Sequence, residues 1–212
     1  MTEAFDLAKA DRDWRFAWQD RPFRRRLLLA LGGIVAVLAV LPFFFQAIEA
    51  RGGRSITDPL LGVLGPADVS IPIFACIWGV VILGIRRAAK SPDFLYRFIT
   101  SYVLLTLLRM ATIWLTRFDP PPGLLPLVDP IANRFYGETF ITRDLFFSGH
   151  TATLFLFAYN FRPGWERWGA LLAGSAVGVL VLVQHVHYTI DVLAAPPLTY
   201  LCYFAAKKTF FN

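Results

Sequence analysis

The run LLLALGGIVAVLAVLPFFFQ, Leu27 to Gln46, decides the fold class. It holds no charged side chain, and it has the roughly 20-residue length that one helix needs to cross the hydrocarbon core of a bilayer. Arg12, Arg15, Arg21, Arg24, Arg25 and Arg26 stand just before it. Both this basic region and the apolar run are longer than those of a cleavable leader, and no small-x-small cleavage site follows promptly, so the segment is expected to persist as a membrane helix. Five further apolar stretches follow: Val69–Ile85, Phe98–Thr116, Leu145–Tyr159, Trp168–Gln184 and Tyr188–Ala206. The fourth of the six is short and contains His150. The expected fold is all-α: a polytopic membrane protein with six transmembrane helices and both termini cytoplasmic. It comprises a basic segment over residues 1–26, a membrane domain over 27–206 and a short tail over 207–212.

Composition agrees. Hydrophobic residues make up 56% of the chain and mean hydropathy is +0.53, against roughly 45–50% apolar residues in a soluble domain. The net charge of +6 does not indicate nucleic acid, because the basic residues flank apolar spans instead of forming a continuous basic surface. With the N-terminus inside, alternating helices place the Arg12–Arg26 group, Arg86, Arg87, Lys90, Arg97, Arg162, Arg167, Lys207 and Lys208 on the cytoplasmic side. Only Arg51, Arg54, Arg117, Arg134 and Arg143 then lie outside, which is the positive-inside asymmetry. Cys76 and Cys202 lie inside apolar spans and read as packing residues. The small-xxx-small pair Gly174 and Gly178 lets a neighbouring helix approach closely, through internal packing or a homo-oligomer. Five prolines in Asp119–Glu138 prevent that segment from being helical throughout.

The chain has three histidines. His150 lies in Ser148-Gly149-His150-Thr151; the other two lie in His185-Val-His187-Tyr188-Thr189-Ile190-Asp191. Helical spacing would stack His187 and Asp191 one turn apart, letting the carboxylate accept the imidazole Nδ1–H and leave Nε2 as nucleophile or base. His185 points elsewhere and reads as a packing or interfacial residue. The proposed topology brings His150, His187, Asp191, Arg109, Thr116 and Asp144 to the same outer face. Arg109 interrupts an apolar helix, where a charge is costly and usually functional, and its planar fork suits phosphate. The start of the fourth helix at Ser148 and Gly149 can present N–H groups to an anion. One imidazole can then attack phosphorus while the other protonates the departing alkoxide. No acidic cluster suggests a magnesium site, so no metal or cofactor is expected.

These motifs resemble those of the sphingomyelin synthases and their relatives, within the type 2 phosphatidic acid phosphatase superfamily. Asp144-Leu-Phe-Phe-Ser-Gly-His-Thr151 is similar to the family's Asp-x-x-x-Ser-Gly-His-Thr, and His187-Tyr-Thr-Ile-Asp-Val192 to its second signature. Arg109-Met-Ala-Thr-Ile-Trp-Leu-Thr116 resembles its Arg-x-x-Thr-x-x-x-Thr, and Thr57-Asp58-Pro59-Leu60 echoes its Pro-Leu-Pro-Asp. The resemblance implies that His187 is the nucleophile, Asp191 orients it, and His150 is first acid and then base. It also implies an exoplasmic site acting on phospholipid with ceramide or diacylglycerol, or a hydrolase in which water is the acceptor. Departures are Val181, where the phosphatase pattern has arginine, and Pro196, where the synthases have tyrosine. Arg109, Thr116, Asp144, Ser148, Gly149, Tyr188 and Glu138 are the candidate substrate-binding residues; Glu138 could meet a cationic head group. The compact, Ala- and Arg-rich chain suggests a bacterial inner membrane. A cysteine introduced between Asp119 and Glu138 is expected to react with an impermeant maleimide from outside the cell; labelling only after permeabilisation would invert this topology.

Overall fold

The computed structural model describes residues 13–128 and 141–211. Among these the chain is helical, with no strand and one isolated bridge between Arg54 and Phe118. The helices are α1 (Trp14–Gln19), α2 (Arg21–Glu49), α3 (Pro59–Val63), α4 (Ser70–Lys90), α5 (Pro92–Thr116), α6 (Gly149–Asn160), α7 (Trp165–Val183) and α8 (Thr189–Phe211). Five of them, α2, α4, α5, α7 and α8, are long and apolar enough to cross a membrane.

Helix boundaries follow local chemistry. Asp20 caps α2 by accepting from the Phe23 N–H at 3.5 Å, with Pro22 in the first turn. Ser91 ends α4 and caps α5, accepting from Phe94 N–H at 3.1 Å, and Pro92 starts the new helix without needing a hydrogen bond of its own. The fourth apolar stretch differs from the sequence expectation. Only Gly149–Asn160 is helical, 12 residues, or roughly 18 Å at about 1.5 Å per residue. Leu145–Ser148 stays irregular because side chains take its carbonyls. The Thr112 hydroxyl donates to Phe146 O at 3.0 Å, and Arg109 Nε–H donates to Phe147 O at 2.9 Å.

A ladder of aromatic rings ties α5 to α6, and α4 packs against it. Phe98 stacks on Phe157 with centroids 4.2 Å apart, and Phe94 stacks on Phe161 at 5.5 Å. Gly84 makes this approach possible: a Cβ there would meet Phe157 Cε1 at 2.1 Å. Gly174 and Gly178 serve the same end. A Cβ at Gly174 would lie 3.1 Å from the Phe155 ring, and one at Gly178 would lie 2.9 Å from Val192. The small-residue pair is therefore occupied by the chain's own α6 and α8.

The two kinds of helical glycine predict opposite signs. Gly84→Ala is expected to destabilise the detergent-solubilised protein by about 1–3 kcal/mol through overpacking. Gly79→Ala, which meets nothing within 4 Å, should be neutral or stabilising by up to about 1 kcal/mol from helix propensity. Thermal unfolding of the two variants side by side checks this.

Candidate active site

The second histidine and its carboxylate come together differently from simple helical stacking. α8 begins only at Thr189, so His187 precedes the helix and Asp191 sits in its first turn. Asp191 Oδ2 reaches back to accept the Tyr188 N–H at 2.9 Å, the reciprocal half of a capping box. The same oxygen stands 3.4 Å from His187 Nδ1. That separation falls short of a well-formed hydrogen bond: His187 Nδ1 and Asp191 Oδ1 are both buried and unbonded. With Nδ1 turned to the carboxylate, Nε2 is the ring nitrogen left for chemistry. Asp191 is 0% exposed and His187 4%, so little solvent screens the pair.

The loop that delivers His187 is pinned by its neighbours. The Gln184 amide donates to Ser70 Oγ at 2.8 Å and to Pro126 O at 3.0 Å, and its oxygen accepts from Val69 N–H. His185 adopts a left-handed φ of 56°. This turns its ring to Pro122 O at 2.7 Å and Leu64 O at 2.8 Å, so it packs loops together outside the His187 pocket.

His150 comes from the opposite side, on the first turn of α6. Its ring centroid lies 6.4 Å from that of His187, inclined by 65°, and 6.1 Å from that of Phe74, inclined by 82°. The two half-sites are joined by a backbone bond, Ser148 N–H to Asp191 O at 3.1 Å. Both histidines line a cavity of about 240 Å³, walled by Phe45, Phe74, Leu124 and Leu127, with Asp144 also on its surface.

Arg109 lies across the start of α6. One of its terminal nitrogens pairs with Asp144 Oδ1 at 2.8 Å. A Cβ on Gly149 would come within 2.6 Å of the guanidinium carbon. Gly149 is therefore small because the arginine rests on it, beside the N–H groups that open the helix. A guanidinium beside the N–H groups of a helix start is an arrangement suited to an anion, although neither Arg109 nor Gly149 is among the residues lining the histidine cavity.

Other expected residues are placed elsewhere. Ser148 is fully buried; it caps α6 at Thr151 N–H and donates its own proton to Thr151 Oγ1. Tyr188 is also fully buried, packing with Leu61, Leu145 and Leu182, and its hydroxyl donates to Asp119 O at 3.1 Å. Thr116 returns its hydroxyl to Thr112 O at 3.0 Å and faces a separate cleft with Gly52, Gly53 and Arg54. These three support the site instead of lining its cavity. Glu138 lies outside the described residues.

The sequence reading missed the polar frame at this end of the bundle. Glu49 accepts from Thr142 N–H at 2.6 Å and Arg143 N–H at 2.7 Å, while Arg143 pairs with Asp119 at 3.0 Å. Burial, and then the like charges of Arg117 and Arg143, lower the Arg51 pKa, so cations crowd this rim. Burial also acts on Asp58, raising its pKa. Hydrogen bonds from Thr189, and then from Leu61 and Leu60, outweigh that and hold the carboxyl below its usual range. The stabilisation from Asp58 is therefore complete at neutral pH, and is lost as pH falls through that depressed value.

Residues 143–208 match the PAP2 superfamily C-terminal family. Over 69 residues the chain is 41% identical to human phosphatidylcholine:ceramide cholinephosphotransferase 2, a match covering 30% of this chain and 19% of that relative. The resemblance drawn from the motifs is thus shown, over a minor part of each protein. His150, His187 and Asp191 fall inside the family match and Arg109 outside it.

Gly149→Ala is expected to push the guanidinium aside and weaken binding of inorganic phosphate by about tenfold or more, equivalent to about 1.4 kcal/mol. Isothermal titration of the purified variant against the parent protein measures it.

Proposed function

We propose that this chain is a lipid phosphotransferase of the sphingomyelin-synthase type, moving a phospho-head group from a glycerophospholipid to ceramide or diacylglycerol without metal or cofactor. The observation that carries the reading is the pair of imidazoles facing each other at 6.4 Å across one cavity, with Asp191 behind Nδ1 of His187. The PAP2 match and the cholinephosphotransferase relative support it at the level of lipid phosphotransferases and phosphatases.

In this mechanism Nε2 of His187 attacks phosphorus and forms a P–N bond as the P–O bond to the diacylglycerol oxygen breaks. His150, protonated, gives its proton to that departing oxygen. The Arg109–Gly149 corner holds the phosphoryl oxygens, whose charge the guanidinium and helix N–H groups offset. Asp191 stabilises the positive imidazole of His187 as the bond forms. In the second half the acceptor hydroxyl gives its proton to His150 and attacks phosphorus, and the P–N bond breaks. Both histidines are then restored.

We further assign six membrane segments, with α6 as a short sixth segment completing the bundle, both termini in the cytoplasm and the histidine cavity on the exoplasmic side. The charge asymmetry along the chain supports this orientation.

Purified protein given labelled phosphatidylcholine or phosphatidylethanolamine, with and without ceramide, tests the proposal. Acceptor-dependent formation of a new phospholipid is expected, and His187→Ala should reduce it by more than about 10³-fold. Free phosphocholine or phosphate released equally without ceramide would make the chain a hydrolase. Full turnover in His187→Ala would remove the nucleophile assignment.

A further inference from the structure

We propose that Asp58 is a positioning residue for the His187–Asp191 pair, acting through Thr189; this rests on the reading of His187 as the nucleophile. Asp58 lies 131 positions from Thr189, in the connection between α2 and α4, yet accepts both of its donors: the backbone N–H at 2.6 Å and the hydroxyl at 3.0 Å. The same carboxylate caps α3, accepting from Leu60 N–H at 3.1 Å and Leu61 N–H at 3.4 Å. One acid thereby closes two helix starts, and the second belongs to the helix that carries Asp191.

The consequence for the site lies in the two peptides that flank Tyr188. On one side, Tyr188 N–H is held by Asp191 Oδ2, the oxygen nearest His187 Nδ1. On the other, Thr189 N–H is held by Asp58. Tyr188 has no side-chain oxygen near enough to its backbone to cap α8 itself, and its hydroxyl is committed to Asp119 O. Asp191 Oδ1 has no hydrogen-bond partner, so the carboxylate that orients His187 is steered by a single bond to a backbone that Asp58 anchors. The ionised state of Asp58, stabilised by its four donors, makes that anchor a charge-assisted one. Without it the first turn of α8 can rotate, and the separation between Asp191 and His187 is no longer set. A misplacement of about 1 Å at a reacting group costs roughly 100-fold in rate.

A helix cap with no part in positioning would lower stability and leave the chemistry of the folded protein intact, so the test separates the two. Wild type, Asp58→Ala, Asp58→Asn and Thr189→Val are compared in phosphatidylcholine nanodiscs containing ceramide. In Asp58→Ala, kcat is expected to fall by about 10- to 100-fold with KM within about threefold. Asp58→Asn should recover part of that loss, because its carboxamide oxygen still accepts the Thr189 N–H. Thr189→Val should lose less than Asp58→Ala, and the two together little more than Asp58→Ala alone. Hydrogen exchange of the 184–191 peptide, which requires no activity, should accelerate in Asp58→Ala and partly recover in Asp58→Asn. A kcat for Asp58→Ala within about twofold of wild type at unchanged KM overturns the proposal, as does unchanged exchange over 184–191. If wild-type turnover proves independent of His187, the function proposed above fails, and the exchange arm still decides whether Asp58 holds this segment.

Discussion

The carbonyls of Phe146 and Phe147 sit in a largely buried segment between Leu145 and Ser148, and the geometry of the site depends on how they are satisfied. In a bilayer-spanning protein, irregular backbone survives only where other protein groups complete its hydrogen bonds. Thr112 and Arg109, two positions on α5, supply them. Because the guanidinium is already fixed by that bond and by Asp144, it arrives at Gly149 in a set orientation. The irregular turn, the arginine on its glycine and the start of α6 are one construction.

A second construction faces it. The end of α7 breaks into a turn stitched by Gln184 and His185 to the 64–70 and 122–126 loops, and α8 begins immediately afterwards. The bond from Ser148 N–H to Asp191 O joins the two. Outside them the connections near the end of α2 act as a brace, with Glu49 gripping the strand of backbone at Thr142 and Arg143. Helices alone would leave these parts free to slide; the short polar contacts fix their register.

Much of this was legible in the residues. The apolar runs announced the long membrane helices, whereas the exact junction at Ser91-Pro92, between the stretches ending at Ile85 and starting at Phe98, came only from the capping bond. The meeting of His150, His187 and Asp191, and of Arg109 with Asp144, followed from motifs at the same ends of apolar stretches. The local geometry was not legible in the same way. A spacing of four residues suggested a shared helix face, whereas an acid three residues past a helix cap closes the cap instead, and Asp191 does so. Thr116 looked like a ligand group, but a threonine near a helix end has its own i−4 carbonyl at hand. The brace at Glu49 joins residues 93 positions apart, and nothing in helical periodicity encodes such a pairing.

Under the proposed lipid chemistry, the shortness of α6 also bears on how a substrate with long acyl chains would reach the histidines. A helix of 12 residues covers roughly 18 Å of a hydrocarbon layer about 30 Å thick. As the proposed sixth membrane segment, standing upright with its Phe161 end at one surface, α6 would hold its His150 end about 12 Å beneath the other. The proposed reacting centre would then be recessed to the depth of the upper acyl carbons. At that depth a lipid substrate would not have to be lifted into water to present its ester, a step that exposes chain at about 0.8 kcal/mol per methylene. It would need only to tilt sideways toward the apolar wall of Phe45 and Phe74. Depth in this fold is set by where a helix begins.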